Sequence, residues 1–187
     1  MALLPSTSSN LPNIVEQLAL AGKISAPVVT LKLPSVDGIG SGFALFGDPS
    51  AMLANKTSVT LENATSNGSW QFEASPKVNG RTLFSGDTKR TVGINTNLNE
   101  ILIPADDMQT LISSIPDAQG SDGGFALPCN ATTDISFEIN GKQFTLLAAN
   151  FISNITTSTS SNYCFARIGT QDGPVWDLGS PFTSKCY

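Results

Sequence analysis

The stretch DISFEINGKQFTL, residues 134–146, decides how the rest of the chain is read. Ile135, Phe137 and Ile139 alternate with polar residues on the way in, and Phe144 and Leu146 alternate on the way back. Between them, Asn140-Gly141 supplies the two residues that most readily take positive φ, as a two-residue type I′ turn requires. The segment therefore predicts a β-hairpin with one apolar face. Moving outward, PVVTLKLP (27–34) alternates with Val29, Leu31 and Leu33 on one side. SGFALFGD (41–48), WQFEAS (70–75), NYCFARIG (162–169) and VWDLG (175–179) are further short strands bounded by turn residues. SNITTSTSSN (153–162) reads as a polar surface loop.

Two helices interrupt this pattern. The first is predicted to start with Asn10 as N-cap and Pro12 in the first turn, to carry Ile14, Leu18 and Leu20 on an apolar stripe, and to stop at Gly22. The second starts at Pro104, buries Met108, Leu111 and Ile112, and is stopped by Pro116. Asp106 and Asp107 fall in its first turn, where carboxylates suit the helix dipole, so they read as helix-stabilising and not as a catalytic pair. Asp87, in SGDTK, reads as a turn residue, and Trp70 and Trp176 as core aromatics. The fold class is all-β: packed antiparallel sheets with two short helices, in one domain spanning residues 1–187.

Composition narrows the function. Charged residues make up only 13% of the 187 and the net charge is −5. With no basic cluster, nucleic acid is not an expected partner. No apolar run reaches the roughly 18–20 residues that a membrane-crossing helix needs. There is no histidine, which removes Ser-His-Asp and Cys-His catalysis and the commonest zinc ligand. The three cysteines form no CxxC pair, so neither a metal nor a cofactor is expected. A bridge between Cys129 and Cys164 would close a loop of about 35 residues, worth roughly 4 kcal/mol in the chain-entropy treatment. Cys186 would then be unpaired, a sign of an end that continues or pairs elsewhere. Five N-x-S/T sequons, at Asn55, Asn63, Asn67, Asn130 and Asn154, point to a secreted, extracellular glycoprotein. MALLPSTSSN lacks the basic and apolar regions of a signal peptide, so the start reads as a boundary inside a longer protein.

Several segments, in order, resemble the C-terminal lobe of the pepsin-like aspartic peptidases of fungal type. NIVEQLALAGKISAPVVTLKL (13–33) is similar to the helix-then-strand segment that joins the two lobes, and SGFALFGD to the strand after it. GFALPCNATTDISFEINGKQFTL (124–146) resembles that lobe's Pro-Cys step and the hairpin that follows. NYCFARI carries the second cysteine of the lobe's usual disulfide, and VWDLGSPF (175–182) resembles its closing Trp-hydrophobic-Leu-Gly segment. The resemblance places the second catalytic loop at GINTNLNEILIP (93–104). Asn95 falls where the family has its aspartate, Thr96 on the threonine, Asn97 on the glycine, Leu98 on the Thr/Ser, and Pro104 on the proline nine residues after the aspartate.

The family's mechanism uses two carboxylates, one from each lobe, sharing a proton. An amide at position 95 cannot serve, so no catalytic residue is expected. Asp177 replaces an apolar residue and Ser180 the usual aspartate, and the N-terminal lobe and final strands are not present. The resemblance implies an inactive homologue acting as a binding or inhibitor-type module for a protein or peptide. Two alternatives stand beside it: half of an aspartic endopeptidase that needs a separate N-terminal lobe, and a structural glycoprotein of a cell surface.

Overall fold

A computed structural model describes residues 12–32, 42–47, 70–121, 123–157 and 160–184. Helix α1, Ile14–Leu20, is capped by Asn13, whose side chain accepts from the Val15 and Glu16 amides while Glu16 reaches back to the Asn13 amide. This capping box puts the cap three residues after the predicted Asn10, which lies outside the described residues. Gly22 follows with φ +66° and stops the helix as expected. The predicted apolar stripe does not face a core: only Val15 is buried, and Leu20 is 80% exposed.

Strands β1 (Val29–Lys32) and β2 (Phe43–Phe46) pair antiparallel in a sheet of their own. Leu33, the third residue of the predicted β1 face, lies outside the described residues.

The larger sheet takes its strands from the rest of the chain. In chain order they are β3 (Gln71–Val78), β4 (Arg81–Thr82), β5 (Arg90–Ile94), β6 (Ile101–Pro104), β7 (Gln119–Ser121), β8 (Gly124–Pro128), β9 (Asp134–Ile139), β10 (Lys142–Leu147), β11 (Ile152–Thr157), β12 (Ser160–Gln171) and β13 (Trp176–Leu178). Across the sheet the order is β10-β9-β3-β5-β13-β6-β12-β8-β7, with β4 beside β3 and β11 beside β12. The all-β class holds, with two departures. β13 runs parallel to β5 and β12 parallel to β6, where an antiparallel set was predicted; such pairings join segments far apart in the chain and leave no local turn signal. The described residues also include two one-turn helices, α3 (Ala148–Phe151) and α4 (Ser180–Thr183), besides α1 and α2 (Ala105–Ser114).

The β9–β10 hairpin forms as predicted, with Lys142 opposite Ile139 and positive φ at Asn140 and Gly141. Ile135, Phe137, Ile139 and Leu146 are buried on its inner face. Residues 153–157 and 160–162, predicted as part of a surface loop, are strand instead: they end β11 and begin β12, because β-branched Ile and Thr fit a pleated edge even when the sequence around them is polar.

The core gathers around Trp176. The Phe137 ring meets it edge-on with centroids 5.9 Å apart, and Phe182 meets Phe137 at 5.4 Å. Each such side chain stabilises by roughly 2–3 kcal/mol through burial, and the edge-on contacts add to that. Met108 and Leu111 bury one side of α2 against this core, as their spacing predicted. Trp70, predicted in the core, is instead 44% exposed, because it stands just before β3 at the mouth of the sheet. Cys129, just past β8, is bonded to Cys164 of β12. Those strands already bring Cys164 opposite Leu127, so the bridge joins near neighbours in space. Cys186 lies outside the described residues.

Candidate functional site

β5 and β6 are consecutive in the chain but do not pair. β13 lies between them, parallel to one and antiparallel to the other. The six residues Asn95 to Glu100 must therefore cross over the end of β13, and that crossing is the loop singled out in the sequence. It is held by backbone bonds: Asn95 N–H to Leu178 O at 3.1 Å, Ser180 N–H to Leu98 O at 2.8 Å, and Leu98 N–H to Asn95 O at 3.3 Å.

Gly179 makes the crossing possible. A Cβ there would lie 2.1 Å from Glu100 O and 2.6 Å from Leu98 O. Its φ of −87° is open to any residue, so glycine is required by space and not by backbone conformation.

Asn95 is half-buried, Thr96 and Asn97 are exposed, and Leu98 is half-buried. The Asn95 side-chain oxygen accepts the Asn97 amide at 3.1 Å, a local Asx turn. An amide cannot ionise near neutral or acid pH, so it can hold a loop but cannot take a proton from water. Leu98 has no hydroxyl to offer a carboxylate. Asp177, the unexpected acid of β13, has room because its neighbour is Gly93: a Cβ at 93 would meet Asp177 Oδ1 at 3.0 Å.

The opposite end of the same three strands is charged. Arg90, the first residue of β5, makes a two-pronged contact with Asp107 on α2, Nε to Oδ2 at 2.7 Å and Nη2 to Oδ1 at 2.9 Å. The Trp176 indole N–H donates to the same Asp107 Oδ2 at 2.7 Å. Arg90 also stacks over the Phe84 ring, 3.7 Å from its centre.

Burial works to raise the Asp107 pKa. The hydrogen bonds from Arg90 and Trp176 and the Arg90 charge outweigh it and hold the carboxyl below its ordinary range. Arg90 is raised in turn, first by its hydrogen bond to Asp107. An open cleft of about 590 Å³ adjoins this cluster, lined by Glu73, Lys89, Thr91, Asp106 and Pro174 among others. At the strand rise, Arg90 stands roughly 17 Å from Asn95, five residues on.

Asp106 and Asp107 do open a helix, as predicted, but Asp107 does more: it is a buried acceptor for two partners far away in sequence. Sequence reasoning missed that cluster, since neither Arg90 nor Trp176 is near Asp107 along the chain. The sequence-predicted residues Asn95, Thr96, Asn97 and Leu98 are brought together in one loop; Cys129 and Cys164 are bonded. Of the sequons, Asn130 and Asn154 are exposed, and Asn55, Asn63 and Asn67 lie outside the described residues. Among the described residues no set of acidic, cysteine or histidine side chains is grouped to hold a metal, and no helix is long and apolar enough to cross a membrane.

Residues 2–187 match the eukaryotic aspartyl protease family. The chain belongs to that family. It is 27% identical over 97% of its length to a protein described as "Probable aspartic-type endopeptidase CTSD" from Arthroderma otae, covering 48% of that protein. It is 28% identical over 98% of its length to pepsin A of Sus scrofa, again covering 48% of the relative. This aspartyl protease-family chain thus spans about half the length of these curated relatives. Its pepsin-like, mostly-strand architecture agrees with that membership.

Proposed function

We propose that this chain is a non-catalytic member of the aspartyl protease family: a secreted, glycosylated lobe, corresponding to the C-terminal half of a pepsin-like enzyme, that binds a protein or peptide without cleaving it. One observation carries the reading. The crossing loop, where the family resemblance places a catalytic aspartate, presents Asn95, whose side-chain oxygen is engaged with the Asn97 amide 3.1 Å away. Losing a general base alone removes about 10²–10⁴ in rate, and Leu98 takes away the hydroxyl beside it. The Cys129–Cys164 bond supports an oxidising compartment.

The test is cleavage of an unfolded protein substrate between about pH 3 and 5, where a proton-sharing carboxylate pair works, with the Asn95→Asp variant beside the parent. Neither protein is expected to cleave. Activity in the parent would overturn the proposal; activity in the variant alone would mean that the loop had kept its geometry and lost only the acid. A second reading, half of an endopeptidase completed by a separate N-terminal lobe, is favoured by the relatives being about twice as long. It requires that adding such a lobe to the parent chain bring acid proteolysis with it.

A further inference from the structure

The two sequons among the described residues lie far apart in the chain, yet both border the same covalent link. Asn130 follows Cys129 directly, in a turn closed by Ala131 N–H to Pro128 O at 2.8 Å. Asn154 belongs to β11, and Thr156 of its sequon stands opposite Cys164, the partner of Cys129. Between Ile152 and Thr156 the register slips, so residues 153–155 bulge out of the ladder. The bulge is fixed by the Ile155 amide donating to Ser153 Oγ at 3.2 Å.

Asn130, Thr132, Asn154 and Thr156 are all exposed. Neither asparagine sits in the crossing loop or in the charged cluster, so neither is needed to hold the chain together there. β11 pairs only with β12 among the described strands, which leaves its other side an edge, and Ile155 on it is 69% exposed. An edge strand with an exposed apolar side chain is a place for unwanted pairing, and a bulky polar cover is one way to block it.

We propose that Asn130 and Asn154 both carry N-linked oligosaccharides and that the pair of glycans shields the Cys129–Cys164 bridge and the β11 edge. The proposal rests on the secreted reading given above. In the transfer, the side-chain nitrogen of each asparagine forms a bond to the anomeric carbon of a sugar. The bond from that carbon to the pyrophosphate of a lipid-linked oligosaccharide donor breaks, the lipid pyrophosphate leaves with the bonding electrons, and the amide gives up one proton. Shielding follows from the unequal exposure of the two cysteine residues. Cys164 is buried and Cys129 is exposed, so an external thiolate has access to the bridge through the Cys129 side, next to the Asn130 glycan and across from the Asn154 glycan.

The experiment expresses the chain through a eukaryotic secretory pathway, as parent and as the Thr132→Ala, Thr156→Ala and Thr132→Ala/Thr156→Ala variants, with Thr156→Ser as a control that keeps the sequon. Because the host supplies entry to the pathway, a missing glycan there breaks this proposal without bearing on where the native chain resides or whether it cleaves peptides. Each alanine variant is expected to lose the mass of one oligosaccharide, the double variant two, and Thr156→Ser none. Enzymatic deglycosylation should convert Asn130 and Asn154 to aspartate in peptide mapping. Folded parent, before and after native deglycosylation, is then exposed to dithiothreitol, and the bridge should reduce severalfold faster once the glycans are removed. Asn154→Gln, which leaves Thr156 opposite Cys164, guards against an effect of the threonine substitution on folding. Unmodified Asn130 or Asn154 in the secreted protein, or a reduction rate that deglycosylation leaves unchanged, would overturn the proposal.

Discussion

The two ends of the β5–β13–β6 trio are built from opposite materials. At one end, the Asn95–Glu100 crossing is fastened by backbone hydrogen bonds and by the close approach of Gly179, with an uncharged amide at its head. At the other, a carboxylate, a guanidinium and an indole N–H are locked together under α2. The family resemblance places an acid at the first end. At the second end Asp107, bound by both Arg90 and Trp176, has a structural task. An acid fixed by a two-pronged arginine contact and a third donor is held ionised and has no proton to share. The difference teaches that a fold's architecture and its chemistry are separable: the crossing is held by backbone hydrogen bonds and by the space at Gly179, neither of which requires an acid at position 95.

The comparison can be broken most severely at Gly179. Gly179→Ala forces a Cβ into two carbonyl oxygens that belong to the crossing, and the backbone has to move because no flexible side chain can give way. A loss of at least about 3 kcal/mol is expected, read as a lower midpoint in chemical denaturation; a loss below about 1 kcal/mol would mean that the crossing is not held by this contact.

Next in size is the charged end. Asp107→Asn leaves Arg90 facing a neutral group, at an expected cost of about 2–3 kcal/mol, less than for a fully buried pair because Arg90 keeps some solvent. The sign of its pH dependence follows from the lowered native pKa. The stability due to ionised Asp107 is complete above its unfolded value of about 4 and is lost as pH falls through the lower native value. Parent and variant should therefore differ most near neutral pH and converge in strong acid. A gap that widened in acid would contradict the geometry.

The smallest effect sharpens the contrast. Asn95→Asp keeps the oxygen that accepts the Asn97 amide, so denaturation midpoints should shift by no more than about 0.5 kcal/mol. A larger destabilisation would show that the Asn95 amide N–H₂ has a partner that matters to the fold.

Local chemistry made much of this fold readable. Asn140-Gly141 between two alternating runs specifies its hairpin within a dozen residues, and Pro104 with Met108 and Leu111 specifies α2 in the same way. The cap of α1 was readable too: Asn13 and Glu16 stand at capping-box spacing, and Asn10 competed only because Pro12, two residues on, suits a first helical turn. The placing of β13 was not readable, since nothing in Trp-Asp-Leu says that it inserts between two strands already adjacent in the chain. The same holds for Asp107, whose helix-first position is visible locally while its partners lie 17 and 69 residues away. Of the crossing loop, the residue types were legible through family resemblance. The demand for glycine at 179 was not, because it arises from carbonyls that only the folded chain brings there.

The trio also has a history in time. A ribosome makes β5 first, β6 soon after, and β13 only when all the other strands of the large sheet have been made. Until then β5 and β6 flank a vacant strand position, with unpaired amides and carbonyls on both sides and Trp176, the centre of the core, not yet in place. The nascent chain is thus exposed to mispairing from the completion of β6 at Pro104 until β13 begins at Trp176, and its final closure depends on contacts of long sequence separation, which form slowly. Such a chain is a natural client for chaperones until its middle strand arrives.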